Sequence, residues 1–417
     1  MRAITRRVLP LLFAAYFTAY VDRVNVGFAA LTMNKALGLS ATQYGLAAGL
    51  FFAGYVAFGV PSNLVLARIG ARVWIAIIMV CWALASLCNA LVTGPQSFYL
   101  VRFILGVGEA GLYPGLLYIC TQWFPGRYRV RMLTLLILST PFSIMAGSLI
   151  SQPILALDGA AGLAGWQWLF ILQALPTMAL GVAFYLLLPH APMSAPWLKA
   201  DEKEWLVTQL AAERMAREAV RRFSVAEALA DPRVWLMGVA GTGINGAAYG
   251  LILFLPQIIH ALGVSTAMTP LVNAIPFAIA AAAMLAWGAH SDRNMERFWH
   301  AAIPAACAGL ALIACVLLRQ PLAVMVALTI GVSGIFCYVS VFWAVPSAML
   351  TGPAAAAGLA LINTVANVGS FAGPYAVGWV KDATGSFSLG LMALGLGPLV
   401  AAAIALSLRS LRRFEQA

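Results

Sequence analysis

The chain has 417 residues, of which 62% are hydrophobic and only 9% charged, with a formal net charge of +11 and a mean hydropathy of +0.90. Soluble domains carry about 25% charged residues, so the composition excludes a soluble enzyme and points to a polytopic membrane protein. The positive charge does not point to nucleic acid, because Lys and Arg fall between the apolar runs, mostly in alternate gaps, which is the pattern that sets membrane orientation.

A spanning helix needs about 20 predominantly apolar residues, and twelve such runs follow one another. They cover approximately 9–31, 43–66, 73–93, 96–122, 129–153 and 166–188, then 233–260, 268–290, 297–318, 321–350, 354–380 and 386–408. The basic stretch before the first run is short, and that run contains Asp22 and Arg23, so a cleaved signal peptide is not expected. The fourth run holds the densest polar motif, residues 102–115, R-F-I-L-G-V-G-E-A-G-L-Y-P-G. Arg102 and Glu109 are seven apart, two helical turns, and so project from nearly the same face. Gly106, Gly108, Gly111 and Gly115 leave that helix a smooth flank for a close neighbour. All six cysteines lie in apolar runs with no C-x-x-C, which reads as packing rather than as disulfides or metal ligands. No metal site and no cofactor are expected.

Residues 190–232 form the one long polar segment, with Pro192, Pro196, the run Asp201–Glu204, the pair Arg221–Arg222, and Trp205, Leu206 and Leu210 at helical spacing. It reads as a linker with a surface helix, joining a six-helix half at 1–189 to another at 233–417. Basic residues such as Arg6, Arg7, Arg68, Arg72, Arg129, Lys199, Lys203, Arg293, Arg297 and Arg409 fall on one side of the predicted membrane. The other side holds only Lys35, Arg319 and Lys381, so both termini are expected to be cytoplasmic. The halves also share a pattern. Arg68-x-x-x-Arg72-x-Trp74 follows the second run and Arg293-x-x-x-Arg297-x-Trp299 the eighth, as expected of two halves related by an axis along the membrane normal.

On these segments the chain resembles the major facilitator superfamily, and within it the bacterial anion:cation symporters, permeases for tartrate, phthalate, hydroxyphenylacetate and sugar acids such as galactonate. The resemblance rests on Tyr20-Val-Asp22-Arg23-Val-Asn25, on Val60-Pro-Ser-Asn-Leu running into Arg68–Arg72, and on residues 102–115. It continues through Gly165-Trp-Gln-Trp-Leu-Phe170, Gly369-x-x-x-Gly373-Pro374 and Gly378-Trp-Val-Lys-Asp382-Ala-Thr-Gly385. It implies an all-α membrane protein of twelve helices in two pseudo-symmetric halves. The chain departs from the superfamily signature G-x-x-x-D-R-x-G, where Asn63 and Ala67 stand in the first half, whereas Gly288 and Asp292 precede Arg293 in the second. A conformational latch is therefore expected to involve Arg68, Arg72, Gly288, Asp292 and Arg293. Gln173 stands where relatives often carry Glu, and the fifth run lacks the G-x-x-x-G-P of drug:proton antiporters.

Away from the ends of the runs the only acids are Asp22 and Glu109 and the only bases Arg23 and Arg102. A charge at the membrane midplane costs roughly 2.5–3.5 kcal/mol on insertion scales, so these four mark a functional site. The alternative, that they only neutralise one another across the bundle, explains why they are tolerated and not why they are present. A guanidinium offers a rigid fork for a carboxylate, which suits Arg23 as the anion ligand. The resemblance favours Asp22 and Glu109 as proton carriers, with Asp22 otherwise the partner holding Arg102. It also places Arg102, Tyr20, Tyr55, Trp343 and Asn363 at the substrate cavity, and Asn245, Tyr249 and Asn367 are further candidates. The expected function is proton-coupled import of a small organic carboxylate by alternating access, in a monomer of the bacterial inner membrane. A uniporter or Na⁺-coupled carrier is the rival within the class. A membrane-embedded enzyme on lipid-linked substrates would need a catalytic cluster, and none is visible.

Overall fold

The computed structural model describes residues 1–218, 229–349 and 352–415, and the Arg221–Arg222 pair of the linker lies outside them. The described residues form helices and no strand. The first half contains α1 (Arg2–Ala36), α2 (Ala41–Ile69), α3 (Ala71–Cys88), α4 (Pro95–Glu109), α5 (Leu112–Trp123), α6 (Gly126–Leu155) and α7 (Gly165–Leu187). The linker helix α8 (Ala200–Glu218) follows. The second half contains α9 (Pro232–Ala261), α10 (Thr269–Asn294), α11 (Phe298–Ala314), α12 (Pro321–Phe342), α13 (Ala344–Met349), α14 (Gly352–Thr384) and α15 (Ser388–Glu415).

Among the described residues nine helical stretches are long and apolar enough to cross a membrane, with α4 and α5 counting as one span and α12 running on into α13. α1 and α14 are long but diluted by Asp22, Arg23, Asn25, Asn363 and Asn367, and α11 has 17 residues. These three complete twelve spanning segments in two halves of six. The fourth and tenth runs are each broken where the sequence reading had one helix. Both breaks lie three to four residues before a proline. Pro114 cannot donate to the Ala110 carbonyl, nor Pro346 to that of Phe342, so each helix opens one turn before its proline. Glu109 thus sits at the last residue of α4, and Trp343 between α12 and α13.

Among the described residues the contacts between halves cluster at the end away from the chain termini. α2 packs on α14 so closely that a Cβ on Gly378 would strike the Ala41 carbonyl. Tyr44 Oη donates to the Leu253 carbonyl at 2.9 Å, Asn34 Nδ2 to Gln257 Oε1 at 3.4 Å, and Asn273 Nδ2 to Ser148 Oγ at 2.9 Å. The linker helix is tied to the first half, with Glu213 Oε1 accepting from the Gly126 amide at 2.7 Å and Leu206 buried. The six cysteines are free. Cys120, Cys315 and Cys337 are buried as expected of packing residues, whereas Cys81, Cys88 and Cys307 are exposed.

Candidate functional site

The site lies between the halves, where α1, α2 and α6 face α9, α12 and α14 around a cavity of about 170 Å³. Arg23 reaches into its wall from α1. Its Nε and Nη2 converge on Glu109 Oε1 at 2.8 and 2.5 Å, and Nη1 donates to Tyr249 Oη at 3.1 Å. The guanidinium lies over the rings of Tyr20, Phe51 and Tyr55 at 4.9, 5.4 and 5.4 Å from their centroids. An aromatic face attracts a cation, so the arginine is held on three sides by aromatic rings while its fork points at the acid. Glu109 is 1% exposed and Arg23 11%. The acid is sealed, and the base is what the cavity meets.

Asp22, the neighbour of Arg23, faces elsewhere, as a turn of about 100° per residue requires. Its carboxylate accepts from the Trp82 indole, from Ser86 Oγ at 2.8 Å and from Asn25 Nδ2 at 2.8 Å. Arg102 is also 1% exposed. It stacks on Phe51 at 5.2 Å, and its Nε and Nη1 have no hydrogen-bond partner among the described residues. The geometry does not pair Asp22 with Arg102, and the shared helix face of Arg102 and Glu109 does not bring those two together either. Among the described residues Arg102 forms no ion pair with Glu109 or with Asp22, and it is Arg23 that takes Glu109. The reason lies in the approach of α2 to α4. Gly54 and Gly106 let the two backbones meet, since a Cβ on Gly106 would overlap the Phe51 carbonyl and one on Gly54 that of Phe103. This contact places the Phe51 ring beside both guanidinium groups.

Tyr20, Tyr55, Trp343 and Asn363 all line the cavity, together with Asn245, Tyr249 and Asn367. Sequence reasoning missed Tyr16 and Tyr113, whose rings pack 5.4 Å apart beside Tyr20, and also Phe51, Trp82 and Ser86. Only the seven-residue spacing of the charges hinted at a surrounding cage, and it does not say which helix supplies the rings. The latch residues lie apart from the cavity, near the end that bears the termini. Asp292 Oδ1 pairs with Arg297 Nη1 at 2.6 Å inside its own half. Arg72 Nε donates to the Tyr185 carbonyl at 2.6 Å and stacks on that ring, again within one half. Arg68 and Arg293 are exposed, and Gly288 faces Ser340. None of these five bridges the halves among the described residues.

The family model of the Major Facilitator Superfamily matches residues 12–374. The chain belongs to that superfamily. This major facilitator protein is 43% identical over 404 residues to a protein named as a putative tartrate transporter of Agrobacterium vitis, covering 97% of this chain and 93% of the relative. It is 38% identical to a quinolone resistance transporter of Acinetobacter baumannii, covering 95% and 92%. Its fold matches a bacterial homologue of the human lysosomal transporter Spinster, solved in an inward-facing, unoccupied conformation, with a TM-score of 0.80, 19% identity and 97% of both chains covered. The protein is a multi-pass membrane transporter rather than an enzyme.

Proposed function

We propose that this transporter imports a small organic anion together with protons across the bacterial inner membrane, working as a monomer with both termini in the cytoplasm. The observation that carries the reading is the Arg23–Glu109 pair at the cavity wall. A carboxylate substrate and Glu109 compete for one guanidinium fork. Protonating Glu109 removes its charge and releases Arg23 to the substrate, so proton and anion load together and leave together. With both present the site is as neutral as the empty pair, which lowers the cost of moving the site past apolar surroundings. Asp22, held by three donors, is the second acid and serves as a proton site only if those donors let go.

Alternating access follows from the closed end. α2 against α14 and α1 against α9 seal the side away from the termini, and the sequence-level charge bias makes that side periplasmic. The name of the tartrate-transporter relative supports an organic acid as cargo. The test uses the full chain in proteoliposomes, with tartrate, benzoate and gluconate as probes and an imposed pH or Na⁺ gradient. Accumulation driven by an inward proton gradient supports the reading. Accumulation driven by Na⁺ alone, or movement of norfloxacin with no acid uptake, overturns it.

A further inference from the structure

We infer that the cavity selects acids with a single carboxylate and an uncharged remainder, and discriminates against dicarboxylates. The inference rests on the proposed function and adds the charge class of the cargo. Among the described residues that line the cavity, Arg23 is the only charged one. Its fork can bind one carboxylate bidentately. Arg102, the other cation in the interior of the spans, is 1% exposed and packs on Phe51, and it is not among the cavity-lining residues, so it is not presented to a ligand on the cavity side.

The wall beyond Arg23 is polar but neutral. Tyr249, which holds Arg23 Nη1, has Asn245 one turn before it on α9, about 6 Å along the axis. On the adjacent α14, Asn363 lines the same cavity. Asn367 is turned back on its own helix, with Nδ2 on the Asn363 carbonyl at 2.8 Å and Oδ1 taking Ser370 Oγ at 3.3 Å. The side-chain amides of Asn245 and Asn363 are engaged by no described residue, and each offers donors and an acceptor without charge. A body running from Arg23 along α9 therefore meets amides and tyrosine hydroxyls. A second carboxylate there would have no counter-ion, and a desolvated carboxylate without one is strongly disfavoured.

Charge balance agrees. Asp22, Glu109, Arg23 and Arg102 sum to zero within the spans. One proton on Glu109 and one monoanion on Arg23 keep that sum at zero, whereas a dianion stays balanced only with a second proton on Asp22, whose carboxylate is already engaged by three donors.

The test is calorimetric binding to the purified full chain with matched acids that differ by one carboxylate: gluconate against glucarate, glycerate against tartrate, and benzoate against phthalate. In whichever pair binds, the monocarboxylate is expected to bind at least tenfold more tightly. Asn363→Arg, which adds a second cation to the wall, is expected to narrow or invert that ratio. Equal or tighter binding of the dicarboxylate by the native protein overturns the inference while leaving organic-acid transport standing. No binding in any pair, with no uptake in proteoliposomes, overturns both.

Discussion

Tyr249 of the second half accepts a hydrogen bond from Arg23 of the first at 3.1 Å, so the base that pairs with Glu109 is also tied across the cavity. The hydroxyl fixes Nη1 and thereby the angle at which the fork faces the cavity. Tyr249→Phe keeps the ring, which packs on Phe52 at 4.4 Å, and removes only that bond. A bond from a charged donor is worth at least about 1.5 kcal/mol, so the apparent KM for the transported acid should rise roughly tenfold with a smaller change in Vmax. An unchanged KM in initial-rate uptake would mean that the phenol does not orient the arginine.

This tie marks where sequence reading stops. The charges themselves were legible, because Asp22, Arg23, Arg102 and Glu109 stand out against apolar runs and carry an evident insertion cost. The twelve spans were legible for the same reason. What pairs with what was not. Arg102 and Glu109 share a helix face, yet the Gly54–Gly106 contact puts Phe51 beside Arg102 and leaves Glu109 to a base on another helix. Tyr249 lies 226 positions from Arg23, and helical periodicity carries no information at that range. The breaks at Ala110–Gly111 and Trp343 were readable in principle from Pro114 and Pro346, since each proline removes a helical hydrogen bond at a fixed offset.

Glu109→Gln mimics the protonated acid. It keeps the shape, loses the charge and can no longer exchange a proton. Arg23 is then permanently available to an anion, so binding and one-for-one exchange of labelled substrate should persist. Accumulation driven by an imposed pH gradient should vanish. Both are read in proteoliposomes, and concentrative uptake with native pH dependence would remove Glu109 from the coupling step.

Arg23 and Arg102 should respond differently to loss of the fork. Arg23→Lys retains charge but cannot hold an acid through two parallel N–H groups, and should weaken substrate binding by roughly 1.5–3 kcal/mol, the value of a charged hydrogen bond. Arg102→Lys gives up no hydrogen bond at Nε or Nη1, only the stacking on Phe51. It should leave affinity near native and shift the pH dependence instead, because its charge lies close to both acids. Calorimetry across a pH series separates the two. Equal losses of affinity in both variants would place Arg102 in contact with the substrate.

Asp382 clamps the end of the bundle that is closed in this conformation. Its two carboxylate oxygens accept from the Ala41 and Thr42 amides at 3.1 and 2.7 Å, joining the end of α14 to the start of α2 in the other half. Burial pushes this carboxyl up, but the Thr42 hydroxyl and amide, the Ser40 hydroxyl and the Ala41 amide outweigh it and hold it below its ordinary value of 3.8. A depressed carboxyl contributes closure that is fully present above that ordinary value and is lost as pH falls through the lower, shifted one. The clamp should therefore stay ionised between about pH 5 and 8. Spin labels at Lys35 and Ser265, at the same end but in opposite halves, report on it in a cysteine-free background. Their separation in the otherwise native chain should not change across that pH range, and Asp382→Asn should add a longer component at pH 7, because an amide satisfies the two backbone donors less well than a charge. A distance distribution unaltered by Asp382→Asn would show that the glycine contacts of α2 and α14 close this end without the clamp.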